Sequence, residues 1–324
     1  MVRLYRFFNS RNCTALLFLC AVIMTCVAYR TGLVDEITGS RGTLFPSPNL
    51  WLPPCDLSLV ISLAVMALTS ITFIALNKVF NFMRAPSALT SSLYVFMMAS
   101  LPMASGQFYG GDMMCIIMLG VTAIMFSCFG DTSVNQRIFL IFFMLSLAST
   151  VQYAFMFYIV VAVPGLAQMR VLNLRSLVAM LLGGLSPFWI LYGFGLIDFE
   201  DIHWPHFEST LSQLSVLDMV TAFSAVGVTV IVGFAAMCVN LIKILSYNAK
   251  FRAYNGFLTL LFIATVLFSI VDYVNLSVYY PLLCLTSAYQ VAHYFSAHKQ
   301  RGAVWVVLSV QIVYLIIYLA CYFV

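Results

Sequence analysis

Long apolar runs separated by short polar breaks fill almost the whole chain. In hydrocarbon a segment must satisfy its own backbone hydrogen bonds, as a helix does, and about 20 mostly apolar residues carry a helix across about 30 Å. Runs of this kind fall near 13–29, 57–76, 87–104, 113–129, 138–151, 153–167, 177–195, 217–240, 257–273, 277–296 and 303–323. The pattern predicts an all-α fold, a polytopic transmembrane helical bundle of about 11 spans, with residues 1–324 forming a single integral membrane domain. The stretch 138–167 is too long for one ordinary span and short for two. Either two short helices meet near Thr150–Tyr153, or the pair is a hairpin that does not cross fully. The run Gly183-Gly184-Leu185-Ser186-Pro187 lies inside a predicted span and predicts a helix that is kinked or packed closely on a neighbour.

Composition supports the same class. The chain is 63% hydrophobic and 8% charged, with a mean hydropathy of +1.02. So few charges cannot cover a water-facing surface over this length, and no stretch is long and polar enough to form a separate soluble domain.

Charge then orients the bundle. With the N-terminus in the cytoplasm and the C-terminus exterior, 13 of the 15 Lys and Arg fall in cytoplasmic segments, and only Arg30 and Arg41 fall outside. Of the 11 acids only Asp131 falls inside. Enrichment of Lys and Arg on the cytoplasmic side is the established bias. Keeping the later basic loops on that side requires an even number of crossings within 138–167. The first span follows basic residues, and Thr25-Cys26-Val27-Ala28 resembles a cleavage site, but the long run leading into further spans favours an uncleaved anchor. The dispersal of the cations among short loops argues against nucleic acid as a partner. The nine cysteines lie mostly in apolar runs without any CxxC pair, as packing residues do, and Cys55 alone has a loop-like setting.

Two exterior loops hold the candidate chemistry. In the first, 30–56, Asp35 and Glu36 stand between Arg30 and Arg41. A carboxylate near the bilayer surface suits a general base or a divalent-metal ligand, and an arginine suits a phosphate clamp. In the second, 198–208, four acids, His203, His206 and several aromatics crowd together. The two histidines, with Glu200 or Glu208, could ligate a metal, but Pro205 disturbs a regular helix through them and interfacial anchoring is the simpler reading. Asp112, Asp218 and Asp272 with Asn275 sit at outer helix ends, where an acid caps or snorkels. Within the spans only His293 is deep and ionisable. Neutral polar residues such as Gln107, Gln152, Asn240, Gln290 and Gln311 would have to line any transport path. No phosphate loop, HExxH or GxSxG motif is present.

The segment Phe143-Met144-Leu145-Ser146-Leu147-Ala148-Ser149-Thr150-Val151-Gln152-Tyr153, then Arg170 and Arg175, then Leu182-Gly183-Gly184-Leu185-Ser186-Pro187-Phe188, resembles a family of bacterial polytopic inner-membrane proteins of uncharacterised activity. That family in turn is distantly similar to the GT-C membrane glycosyltransferases. The resemblance covers about half the chain. It implies location in the bacterial inner (cytoplasmic) membrane and transfer of a sugar from a polyprenyl-phosphate carrier. Asp35 or Glu36 would then be the base or hold a divalent metal. Arg30 and Arg41 would clamp the donor phosphate, and His203 and His206 would lie on the acceptor side. A transporter or lipid-carrier flippase, and a non-catalytic subunit of a membrane complex, are the alternatives.

Overall fold

The computed structural model describes residues 7–8, 10–34, 42–52, 55–83, 88–131, 133–198, 216–297 and 301–323. Among them are twelve helices and no strand: α1 (Arg11–Arg30), α2 (Asp56–Phe80), α3 (Ala88–Ala99), α4 (Pro102–Ser105), α5 (Gly110–Ser127), α6 (Asn135–Ser149), α7 (Phe155–Gln168), α8 (Leu174–Gly193), α9 (Val216–Ile244), α10 (Ala249–Val271), α11 (Leu276–Ala297) and α12 (Arg301–Phe323). Single 3-10 turns lie at Pro48–Leu50 and Tyr273–Asn275.

Seven helices, α1, α2, α5, α8, α9, α10 and α12, are long and apolar enough to cross a membrane. The chain is a multi-pass membrane protein of helical class. A helix stands on each of the eleven predicted runs, but four are of another kind. Three are short: α3 has 12 residues, α6 has 15 and α7 has 14. At 1.5 Å per residue they rise only about 18–22 Å. The predicted run 87–104 breaks at Leu101, where Pro102 starts the four-residue α4. The stretch 138–167 resolves into two short helices, α6 and α7, joined at 150–154.

The fourth, α11, is long but carries Thr286, Ser287, Gln290 and His293 among its buried residues. It packs against α3, α5, α9, α10 and α12. Being covered on all sides, it meets protein rather than lipid, so its polar side chains find partners. Asn240 of α9 donates to the Gln290 carbonyl at 2.8 Å and to its side-chain oxygen at 2.9 Å. Gln290 Nε2 donates to Thr259 at 3.3 Å. Asn255 of α10 donates to the Phe82 carbonyl at 3.1 Å and accepts from the Tyr289 hydroxyl. Buried amides bonded to each other join helices, since leaving such groups unpaired in an apolar interior is costly. His293 is buried as expected, with the Tyr247 hydroxyl 3.4 Å from Nε2.

The two ends of the bundle differ in charge. One, the basic end, brings together the C-termini of α2, α5 and α11 and the starts of α6 and α10. There Lys243 donates to the Ala297 carbonyl, Tyr254 donates to the Phe126 carbonyl at 3.0 Å, and Arg137 donates to the Ser127 carbonyl at 2.7 Å. Arg137 also lies 3.5 Å from Asp131, whose carboxyl is held below its usual range chiefly by the Ser133 N–H and hydroxyl. The other, the acidic end, gathers the end of α1, the 42–52 loop, the start of α5, the α6–α7 turn and the α10–α11 turn, with Asp56, Asp112 and Asp272 among them.

At the rim, α8 packs chiefly on α6 and turns Leu181, Leu185 and Trp189 outward. The glycine pair sets how closely the two approach. A Cβ on Gly183 would lie 2.4 Å from the Phe139 carbonyl oxygen, whereas one on Gly184 would meet nothing within 4 Å. Ser146 of α6 donates to the Gly184 carbonyl across the same contact. The expected close packing is therefore present, through Gly183. Gly183→Val is expected to destabilise the purified protein by about 2 kcal/mol by overpacking, read as thermal unfolding in detergent, with Gly184→Val near wild type.

Candidate functional site

The acidic end is built around the turn between α6 and α7. Because these helices are short, the last carbonyls of α6 have no further helix to bond to and no assured access to water. The loop after α1 supplies the missing donors. Thr43 N–H and its hydroxyl both donate to the Ser149 carbonyl, at 3.2 and 3.1 Å. Leu44 and Phe45 N–H groups donate to the Thr150 carbonyl at 3.1 and 2.8 Å. Gly42 is seated so tightly that a Cβ would come 2.2 Å from the Thr150 carbonyl oxygen.

The same loop caps α5. Asn49 accepts from the Gly110 N–H at 3.1 Å, and Ser58 at the start of α2 accepts from the Phe108 N–H at 2.8 Å. Both acceptors meet the exposed donors of a helix N-terminus, as a side-chain cap does. Gln152 of the α6–α7 turn lies over Gly110, where a Cβ would approach its side-chain oxygen to 2.9 Å.

Two buried acids flank this turn. Asp272, following α10, accepts from Tyr153 at 2.7 Å, from Tyr279 at 2.9 Å and from Asn275 at 2.8 Å. Asn275 also donates to the Tyr153 hydroxyl. Burial pushes the Asp272 carboxyl above its ordinary range, and the bonds from Tyr153, Asn275 and Tyr279 pull it back. With three donors converging on it, this acid ties the α6–α7 turn to α10 and α11.

Asp112, in the first turn of α5, is 1% exposed. It lies beside the Ser62 hydroxyl and the Tyr109 N–H, yet neither carboxylate oxygen has a well-formed hydrogen bond among the described residues. Ser62 is engaged elsewhere, donating to the Ser105 carbonyl at 3.1 Å. Both acids were expected to cap or snorkel at the surface. Instead both are buried, Asp272 among Tyr153, Asn275 and Tyr279 and Asp112 beside Ser62 and Tyr109. Tyr153 and Tyr279 carry no sequence signal separating them from the chain's other tyrosines, and only the fold assigns them to Asp272.

Of the residues selected from sequence, Arg30 ends α1, exposed, with Tyr29 facing Asp56 beside it. Asp35, Glu36, Arg41, His203 and His206 lie outside the described residues. The described flanks of the first acidic segment seat on this end: Val34 packs against Gly106, and Gly42 against Thr150 and Val151. Among the described residues no group of three His, Cys, Asp or Glu comes together to hold a metal ion. All nine cysteines are free thiols, with Cys55 capping α2 through its sulfur.

No family model, curated protein or solved structure matches the chain.

The two acids differ in what they do for the fold. Asp272→Ala strands three buried donors and is expected to cost about 3 kcal/mol, with Asp272→Asn about half as harmful because one acceptor oxygen remains. Asp112→Asn removes a carboxylate without well-formed partners and is expected to leave thermal stability unchanged or raised. Equal losses at both positions would refute this division.

Proposed function

We propose that this chain is a GT-C-like glycosyltransferase of a bacterial inner membrane, using a polyprenyl-phosphate-linked sugar, with the acidic end facing the exterior. The observation that carries the reading is the buried carboxylate of Asp112, without well-formed hydrogen bonds among the described residues, at the end of the bundle where the flanks of the Asp35–Glu36 segment are seated. Buried carboxyls with few partners cluster at functional sites, which supports a role for Asp112 in proton handling. Transfer of a sugar requires an acceptor hydroxyl to lose its proton as its oxygen attacks the anomeric carbon and the carrier phosphate leaves. A carboxylate takes that proton and a cation stabilises the leaving phosphate. Asp35 or Glu36 fits the first role. Arg30 and Arg41 fit the second, and His203 and His206 fit the acceptor side.

The flippase alternative has less support. Asn240 and Gln290, two of the residues it needs to line a path, are bonded to each other between helices.

In a strain that makes an envelope glycan dependent on this chain, Asp35→Asn with Glu36→Gln is expected to abolish the glycan. Asp112→Asn should lower transfer by about 100-fold or more, with all variants inserted at wild-type levels. A normal amount of glycan in the Asp35→Asn, Glu36→Gln double variant would defeat the reading. The orientation has its own check: an alkaline phosphatase fused after Val324 is expected to be active, and a fluorescent protein there dark.

A further inference from the structure

A second feature lies at the opposite, basic end. There α1 and α2 both pack on α3 but diverge from each other, leaving a groove of about 1130 Å³ floored by α3. This exceeds the ~300–1,000 Å³ of ordinary small-molecule pockets. Its walls are apolar along most of their length: Phe18, Leu19 and Val22 on α1, Ile71 and Ile74 on α2, and Val95 on α3. Leu19 and Ile71 stand exposed on the rim, so the groove opens sideways.

Charge is confined to one end, where most of the polar lining, Thr14, Asn77, Lys78 and Asn81, is also found. Lys78, in the last turn of α2, lines the mouth beside Asn81, the residue that terminates α2 in the left-handed region at φ 50°. From Lys78 to Ala67, the innermost lining residue of α2, the helix rises about 16 Å. That is about half the hydrocarbon thickness, one leaflet. A transmembrane helix of a partner would need a groove running the full span; this one ends at mid-membrane. Deeper in the wall, about 12 Å from Lys78 along the helix, Ser70 is 6% exposed, and Ser91 donates to its carbonyl at 3.1 Å.

We propose that this groove binds one anionic phospholipid from the leaflet at the basic end, its phosphate on Lys78 beside Asn81 and its acyl chains in the apolar slot between α1 and α2. A charge at the membrane surface with polar groups beside it, and an apolar slot about one leaflet deep, form the profile of a phospholipid. The lipid closes a gap that α1 and α2 leave open. The proposal does not depend on the glycosyltransferase reading, whose described residues, Arg30 and Asp112, are at the other end.

The test is native mass spectrometry of the full chain, released from nanodiscs holding equal amounts of phosphatidylglycerol and phosphatidylcholine. One phosphatidylglycerol per chain is expected to survive release. Lys78→Ala should reduce its retention about fivefold relative to phosphatidylcholine, and Ala67→Trp, which fills the slot, should remove the bound lipid. Unfolding temperatures of both variants in detergent monitor the fold. Where Ala67→Trp melts early, Ala15→Trp on the opposite wall replaces it. Equal retention of the two lipids, or phosphatidylglycerol retention unaffected by Lys78→Ala, overturns the proposal. So does preferential retention of a polyprenyl phosphate added in equal amount, or a bound protein chain in place of lipid.

Discussion

Much of the acidic end depends on one set of hydrogen bonds, between the N–H groups of Thr43, Leu44 and Phe45 and the carbonyls that end α6. Without them, a two-helix excursion of 15 and 14 residues would leave unpaired backbone carbonyls in a low-dielectric interior, at a free-energy cost that hydrocarbon does not forgive. Once the loop is seated there, Asn49 reaches the start of α5 and Gly42 locks onto Thr150. A polar loop therefore acts as part of the interior.

Around that, the helices divide by what they touch. The seven long apolar helices can face lipid, whereas α11 is enclosed and can afford amides, tyrosines and a histidine. The Asn240–Gln290–Thr259 and Asn255–Tyr289 bonds tie α9, α10 and α11 together, and Asp272 with its two tyrosines does the same for the α6–α7 turn at the other end. Association in lipid lacks a strong hydrophobic term between helices, so small-residue contacts such as Gly183 on Phe139, and buried polar bonds such as these, take up that role.

The membrane class, the position of each long helix, the break near Thr150 and the segregation of cations were all legible along the chain. Each depends on local properties: twenty apolar residues in a row, a loop's charge, a glycine pair. The four helices that are not simple spans were harder to see. The polar residues of α11 were visible along the chain, but that protein covers it on all sides depends on partners far away in sequence.

The same limit applies to the site. That Asp112 and Asp272 exist at helix ends is a matter of sequence; that one is weakly partnered and the other held by Tyr153, Asn275 and Tyr279 is not. Tyr153 and Asp272 are separated by 119 residues and Asn49 and Gly110 by 61. Such pairings arise only when helices pack, because burial and hydrogen-bond satisfaction are properties of the assembled interior. The sequence by itself determined a multi-pass helical membrane protein with one basic and one acidic end. Tertiary structure alone decided which acids are buried, which loop closes the α6–α7 turn, and that α1 and α2 part to leave a groove beside Lys78.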